Sequence, residues 1–320
     1  MLNYKRELYM KPKNLLVYYG WLNSFNSATN SWTNEKVAQE LAKYHLLVIG
    51  DGIQSSSHGD YSNTQSILPR VKALNPDVQI FGYVTVNQTF SNFKTKVDEW
   101  KTLDIDGIFM DEAGYDYGTA TTNSREAFNA KVDYIHSNEM ICFANAWKAQ
   151  YILGTENDAS YPNTTWNPNA MESNLTSIDW CLIESFAIKS DASFETKTDW
   201  KARGDEWKEY QALYGINLAG NSVISDSDAN GQDKMDFIYT SASIYSLDAV
   251  GSSDTSYGAS SAKSKFWNRP DVSKLGLTFD DAPVVVNCAS DSDVYMRYVD
   301  YGLMKIDFSS GSESSSITEY

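Results

Sequence analysis

Eight short apolar runs, most of them separated by helical patterns, constrain this chain more than any other feature. They occupy residues 15–19, 44–49, 78–84, 105–110, 140–144, 179–183, 212–218 and 242–247. Amphipathic stretches lie between them: one over 33–43 with Val37 and Leu41, one through Ile67, Val71 and Leu74, and one over 91–101. Others run through Phe128, Val132 and Ile135, over 194–210 and over 233–240. Ser62 with Gln65, and Asn123 with Glu126, have the spacing of capping pairs. Such alternation predicts βα units and a parallel sheet. Eight units close a (β/α)8 TIM barrel, which takes about 250 residues, and the chain has 320. The rival is an open doubly wound sheet with a glycine-rich phosphate loop after its first strand. Here Tyr18-Tyr19-Gly20-Trp21-Leu22-Asn23 stands at that point, and no Walker or dinucleotide fingerprint occurs.

After Asn268-Arg269-Pro270 the texture changes. Residues 283–288, 294–298 and 303–308 read as short strands joined by Asp, Ser and Gly turns, with nothing helical between them. The expected organisation is a barrel over 1–266 and a small C-terminal antiparallel β appendage over 267–320, its serine-rich end from 311 onward frayed. Residues 148–176, with Pro162, Trp166 and Pro168, read as an elaborated loop. Cys142 and Cys181 lie in apolar strands as core thiols and Cys288 stands alone, which is no disulfide framework.

A formal charge of −16 makes nucleic acid a poor partner, because phosphate binding needs concentrated Lys and Arg. No apolar stretch is long enough for a membrane span. The first 14 residues are basic without an apolar signal core. An extracellular or surface-associated life therefore implies a lost leader or another route. His45 opens a strand, His136 sits late in a helix, and His58 lies alone in a loop, so no zinc site is expected. Asp226-Ser-Asp228-Ala-Asn230-Gly-Gln-Asp233 lacks the closing glutamate of a calcium loop and reads as solvated. Neither a metal nor another cofactor is called for, and nothing in the sequence fixes an oligomeric state.

The chemistry gathers where the runs end. Residues 105–110 finish on Asp111 and Glu112. Successive strand residues point to opposite faces, so in a closed barrel one acid aims at the axis and the other at the wall. The other run ends supply Tyr19 and Trp21, Asp51, Tyr83 with Asn87, Asn145 with Trp147, Glu184, Asn217 with Asn221, and Asp248, while Tyr115 follows the paired acids. In a barrel these positions ring the C-terminal mouth, where such enzymes keep their sites. Amphipathic rings stack on sugar faces, and Asn and Asp bind hydroxyls. Glycosidic cleavage needs one protonated carboxyl and one carboxylate. Asp111 or Glu112 facing Glu184 would supply them.

With those residues placed, the sequence resembles the endo-α-1,4-galactosaminidases and the related spherulin-4-like glycoside hydrolases that cut galactosaminogalactan. Residues 15–20, Ile80-Phe-Gly-Tyr-Val84 and above all Asp106-Gly-Ile-Phe-Met-Asp-Glu-Ala113 carry the likeness, within the first 190 residues. The resemblance implies a catalytic role for Asp111 and Glu112, completed by Glu184. The chain departs from those families in Gly50-Asp51-Gly52 with its serine loop, in the insertion around Trp166, and in the β-like tail.

The expectation is thus a glycoside hydrolase acting on a polysaccharide, one containing amino sugars by what the resemblance implies. The competing expectation is a non-catalytic carbohydrate-binding or structural surface, spore or virion protein on the same barrel. Carboxyl groups about 5–9.5 Å apart in an open groove favour the enzyme.

Overall fold

A computed structural model describes residues 12–25, 32–255, 266–275, 286–287, 293–309, 311 and 313–319. The expected strand over 283–288 and the lone Cys288 lie largely outside them. Eight parallel strands close a ring in chain order: β1 (Lys13–Tyr18), β2 (Leu46–Ile49), β3 (Gln79–Thr85), β4 (Gly107–Asp111), β5 (Ile141–Asn145), β6 (Trp180–Ile183), β7 (Asn217–Val223) and β8 (Ala249–Ser253). Pairing of β8 with β1 completes it. The helices are α1 (Asn34–Leu41), α2 (Tyr61–Leu74), α3 (Phe90–Lys101), α4 (Ala120–Asn123), α5 (Arg125–Ser137), α6 (Ala149–Leu153), α7 (Asn163–Trp166), α8 (Lys197–Tyr214) and α9 (Gly231–Ile244). A four-stranded antiparallel sheet follows, with β9 (Val286–Asn287), β10 (Val294–Val299), β11 (Gly302–Asp307) and β12 (Ser314–Glu319). The expected barrel with an appendage is the fold.

Two apolar clusters result from strand alternation. Leu15, Val17, Leu46, Val48, Phe81, Phe109, Phe143, Trp180, Leu182, Ala219 and Ala249 fill the inside of the ring. The intervening residues, among them Leu16, Leu47, Ile80, Ile108, Met110 and Cys181, join the helix-facing core. Both Cys142 and Cys181 are buried thiols, as expected of core residues.

Several sequence-level boundaries are corrected. The apolar run at 242–247 is the end of α9 and its turn, and the run at 212–218 straddles α8 and β7. A short apolar run does not distinguish a strand from a wrapped helix, and α9 is wrapped: every residue from Phe237 to Ile244 is buried. Barrel strand β8 covers one side and the C-terminal sheet another, through Phe237 against Phe308 at 5.2 Å. The expected fraying from 311 onward is also wrong, because Ser314–Glu319 pairs antiparallel with β11 and sets Ile317 against the core. Asp60, not Ser62, stands before α2, and Ser124, not Asn123, caps α5 by accepting from Ala127 N.

The C-terminal sheet shares its core with α8 and α9. Trp200 of α8 meets Tyr295 at 5.1 Å and Phe308 at 4.8 Å. Arg297, 3% exposed, donates to the carbonyls of Ser243 (3.2 Å) and Ile244 (2.8 Å) and to Ser246 Oγ. A cation there satisfies the orphan carbonyls and complements the helix dipole.

Candidate active site at the barrel mouth

Period two along the strands decides what faces the mouth. Extending the inward set Val17, Phe81, Phe109, Phe143 and Leu182 by two residues gives Tyr19, Tyr83, Asp111, Asn145 and Glu184. Asn145 joins two of them. Its single amide nitrogen donates to Asp111 Oδ1 at 2.8 Å and to Glu184 Oε2 at 3.1 Å. Because both bonds start on one nitrogen, those two oxygens lie within about 6 Å of each other, inside the span a carboxylate pair needs.

Glu112 does not follow the alternation. Its φ of 54° puts it in the left-handed region, so the chain turns and the carboxylate comes back toward the mouth. There it accepts from Thr85 Oγ1 at 2.9 Å, and Thr85 is the register partner of Asp111. Asn123 holds the turn, its amide donating to the carbonyls of Glu112 (2.7 Å) and Gly114 (2.9 Å). Lys131, buried on α5, ties the neighbouring loops by donating to Val86 O (2.7 Å) and Thr122 O (2.6 Å). Burial lowers its ammonium pKa to about 8. Ser185, after Glu184, is also left-handed at φ 53°. Two of the residues that pay this backbone strain adjoin the carboxylates, a placement typical of working sites.

Burial pushes the Glu184 carboxyl above the ordinary range. The Asn145 amide opposes this, the charge of Asp111 adds to it, and Arg203 opposes it. Burial, and then the nearby charge of Asp111, raises the Tyr83 phenol. Tyr83 also packs edge-on to Tyr19 at 5.1 Å. Close approach at this point requires glycine in β2's wake: a Cβ on Gly50 would stand 2.2 Å from that of Tyr83.

Arg203, on α8, was not legible as a site residue. It donates to the carbonyls of Glu184 (3.0 Å) and Ser185 (2.7 Å) and to Glu195 Oε2 (3.2 Å), and lies 4.4 Å over the Trp147 ring. Trp147 itself is 41% exposed. Tyr117 is the other omission. It is 37% exposed, and its phenol is raised by burial and then by the charges of Glu184, Asp116, Asp111 and Glu112. Only its position in Gly114-Tyr-Asp-Tyr-Gly118 could have marked it.

The remaining expected residues divide. Trp21 is on the rim, edge-on to His58 at 4.9 Å. Asp51 is exposed there with Lys96 Nζ at 3.5 Å, and Asn87 is exposed with Thr122 Oγ1 at 3.3 Å. Tyr115 is a correction: it is buried at 4% between Tyr151 (5.4 Å) and Trp166 (5.2 Å), beneath the 148–176 insertion. Asn217 and Asp248 are corrections too, since Asn217 opens β7 and Asp248 precedes β8, so both sit at the opposite end of the barrel. Asn217 donates to Ser177 O and Asp179 O, and Asp248 accepts from Leu218 N and Gln211 Nε2. Asn221 is inward but buried, paired with Ser253.

At that far end His136, Cys142 and Asp179 bring ligand-type atoms within 4.8 Å of one another. Asp179 is already occupied. It accepts from Cys142 N (2.8 Å), Thr176 N (2.7 Å) and Thr176 Oγ1 (3.0 Å), and meets His136 Nε2 at 3.0 Å. That contact raises the imidazole pKa, while burial raises the Cys142 thiol. His136 and Asp179 thus form a hydrogen-bonded pair at the barrel floor, beside the buried Cys142 thiol.

No protein-family model and no curated protein sequence matches the chain. Solved structures match in fold. A GH5-4 broad-specificity endoglucanase from Clostridium longisporum shares 12% identity over 80% of this chain and 89% of its own, with a TM-score of 0.45. The glycoside hydrolase domain of PelA from Pseudomonas aeruginosa shares 10% over 78% and 99%, also at 0.45. An HpcH/HpaI aldolase from Desulfitobacterium hafniense shares 9% over 77% and 87%, at 0.41.

Proposed function

We propose that the protein is a glycoside hydrolase in which Glu184 is the acid and Asp111 the nucleophile. The observation that carries this reading is the amide of Asn145 spanning Asp111 and Glu184. The limit of about 6 Å lies nearer the roughly 5–5.5 Å of retaining enzymes than the 6.5–9.5 Å of inverting ones. In the first step an Asp111 oxygen bonds to the anomeric carbon. The glycosidic C–O bond breaks, and the Glu184 proton passes to the departing oxygen. In the second, Glu184 takes a proton from water as the water oxygen bonds to the anomeric carbon and the Asp111–sugar ester breaks. The raised Glu184 carboxyl suits the acid role. Glu112, anchored by Thr85, adds a third acceptor for sugar hydroxyls or amines.

The polymer we favour contains amino sugars, in line with the galactosaminidase-like run 106–113 and with the charge of −16, which attracts a partly deacetylated, cationic glycan. Such a substrate implies an extracellular or surface-associated site of action. The test is reducing-end release over a panel of microbial exopolysaccharides by wild type, Asp111→Asn, Glu112→Gln and Glu184→Gln. Loss of about 10² or more in the Asp111 and Glu184 variants supports the assignment. Full activity in both would overturn the assignment of the pair, and no release by wild type would return the chain to the binding-protein reading.

A further inference from the structure

Outward of Glu184 lies a groove of ≈ 590 Å³, between the loop after β5 and the first turns of α8. Its walls include Trp147, Lys148, Lys189, Glu195, Arg203 and Glu206. We infer that this groove holds the leaving-group side of the substrate, with Trp147 as the platform for a pyranose ring, so that cleavage falls inside a glycan chain. The inference rests on Glu184 being the acid, because the proton goes to the departing oxygen and the departing sugar must therefore lie on Glu184's side.

Three features support it. The volume is of the size that ordinarily takes a small organic ligand. Trp147 stays 41% exposed although Arg203 stacks on it at 4.4 Å, which makes the indole an ordered, accessible surface of the kind sugar rings stack on. The same Arg203 grips the carbonyls of Glu184 and Ser185, so platform and acid are fixed to one another through a single side chain. Lysines and carboxylates alternate along the walls, offering donors and acceptors for hydroxyls and not a site for one sign of charge. Across the axis, Tyr19, Tyr83 and Trp21 provide aromatic surface for the other half of the chain. Aromatic surface on both sides of the carboxylates suits an internal cut.

The experiment compares wild type, Trp147→Ala and Glu184→Gln on two probes: partly N-acetylated α-1,4-galactosamine oligosaccharides and 4-nitrophenyl α-galactosaminide, whose leaving group needs no sugar subsite. Trp147→Ala is expected to lose kcat/KM roughly tenfold further on the oligosaccharides than on the nitrophenyl glycoside, a difference of about 1.4 kcal/mol. Equal losses on both probes, or none on either, would overturn the platform while leaving the acid assignment intact. Glu184→Gln tests that assignment separately. It should lose oligosaccharide cleavage by about 10² and nitrophenyl cleavage by much less, since a good leaving group needs little proton assistance. Undiminished oligosaccharide cleavage by Glu184→Gln would remove the acid and the inference with it. Absence of both wild-type cleavage and oligosaccharide-induced change in tryptophan fluorescence would overturn both for this sugar class.

Discussion

Asp111 and Glu184 end strands that are not neighbours in the ring, yet they accept from the same nitrogen, 2.8 Å and 3.1 Å from the Asn145 amide. The intervening strand β5 makes this possible, its last residue pointing inward between the two acids. A donor shared in this way fixes the spacing of the pair and moderates the cost of two carboxyl groups at close quarters.

Removing that donor should show in the pH profile. Since the Asn145 amide holds the Glu184 carboxyl down, Asn145→Ala is expected to move the alkaline limb of kcat/KM to higher pH. Activity at the optimum should fall about 10²-fold, as when a preorganised donor is lost elsewhere. A limb that stays in place would show that it reports another group.

Glu184 should also make the fold less stable where it is charged. Its folded pKa is raised, so its favourable contribution is complete below the unfolded value of about 4.3 and disappears as pH rises through the folded value. Glu184→Gln is therefore expected to raise Tm at pH 7 and to leave it nearly unchanged at pH 4. Thermal melts at the two values check the sign; a loss of Tm at pH 7 contradicts it.

Arg297 offers a test of the C-terminal sheet away from the mouth. Arg297→Met keeps an unbranched apolar stem but leaves the Ser243 and Ile244 carbonyls without their charged donor. The expected cost is about 2–3 kcal/mol in urea unfolding, the range for hydrogen bonds to charged groups. An unchanged midpoint would mean that water replaces the guanidinium.

Steering by net charge predicts a salt effect confined to cationic polymer. Raising ionic strength from about 0.01 M to about 0.15 M shortens the screening length from roughly 30 Å to roughly 8 Å. Turnover of a deacetylated galactosamine polymer should fall across that range while that of its fully acetylated form stays level. Equal behaviour of the two would remove the electrostatic argument for the substrate.

The carboxylates were legible because each ends an apolar strand: Asp111 after Ile108-Phe109-Met110 and Glu184 after Cys181-Leu182-Ile183. That Glu112 would join Asp111 at the mouth was not legible. It depends on a left-handed turn at Glu112 held by Asn123, a contact made 11 residues away. Asn217 and Asp248 were misplaced because each apolar run began inside a helix, the seventh in the last turn of α8 and the eighth in the buried tail of α9, so both strands were assigned too early. Arg203 had no signal at all, because a basic residue within a polar helix looks the same whether it faces water or bridges two carbonyls.

The jacket around α9 has a consequence for how the molecule comes into being. This helix delivers the chain to β8, the last stave of the ring, and β10 to β12 that clothe it are made after both. A nascent chain without residues 294–319 would leave Phe237 with Phe194 but without Phe308, at a stage when every mouth residue had already been synthesised. Loss of the C-terminus should accordingly register as aggregation on the ribosome or in the test tube before it registers as a change in specificity.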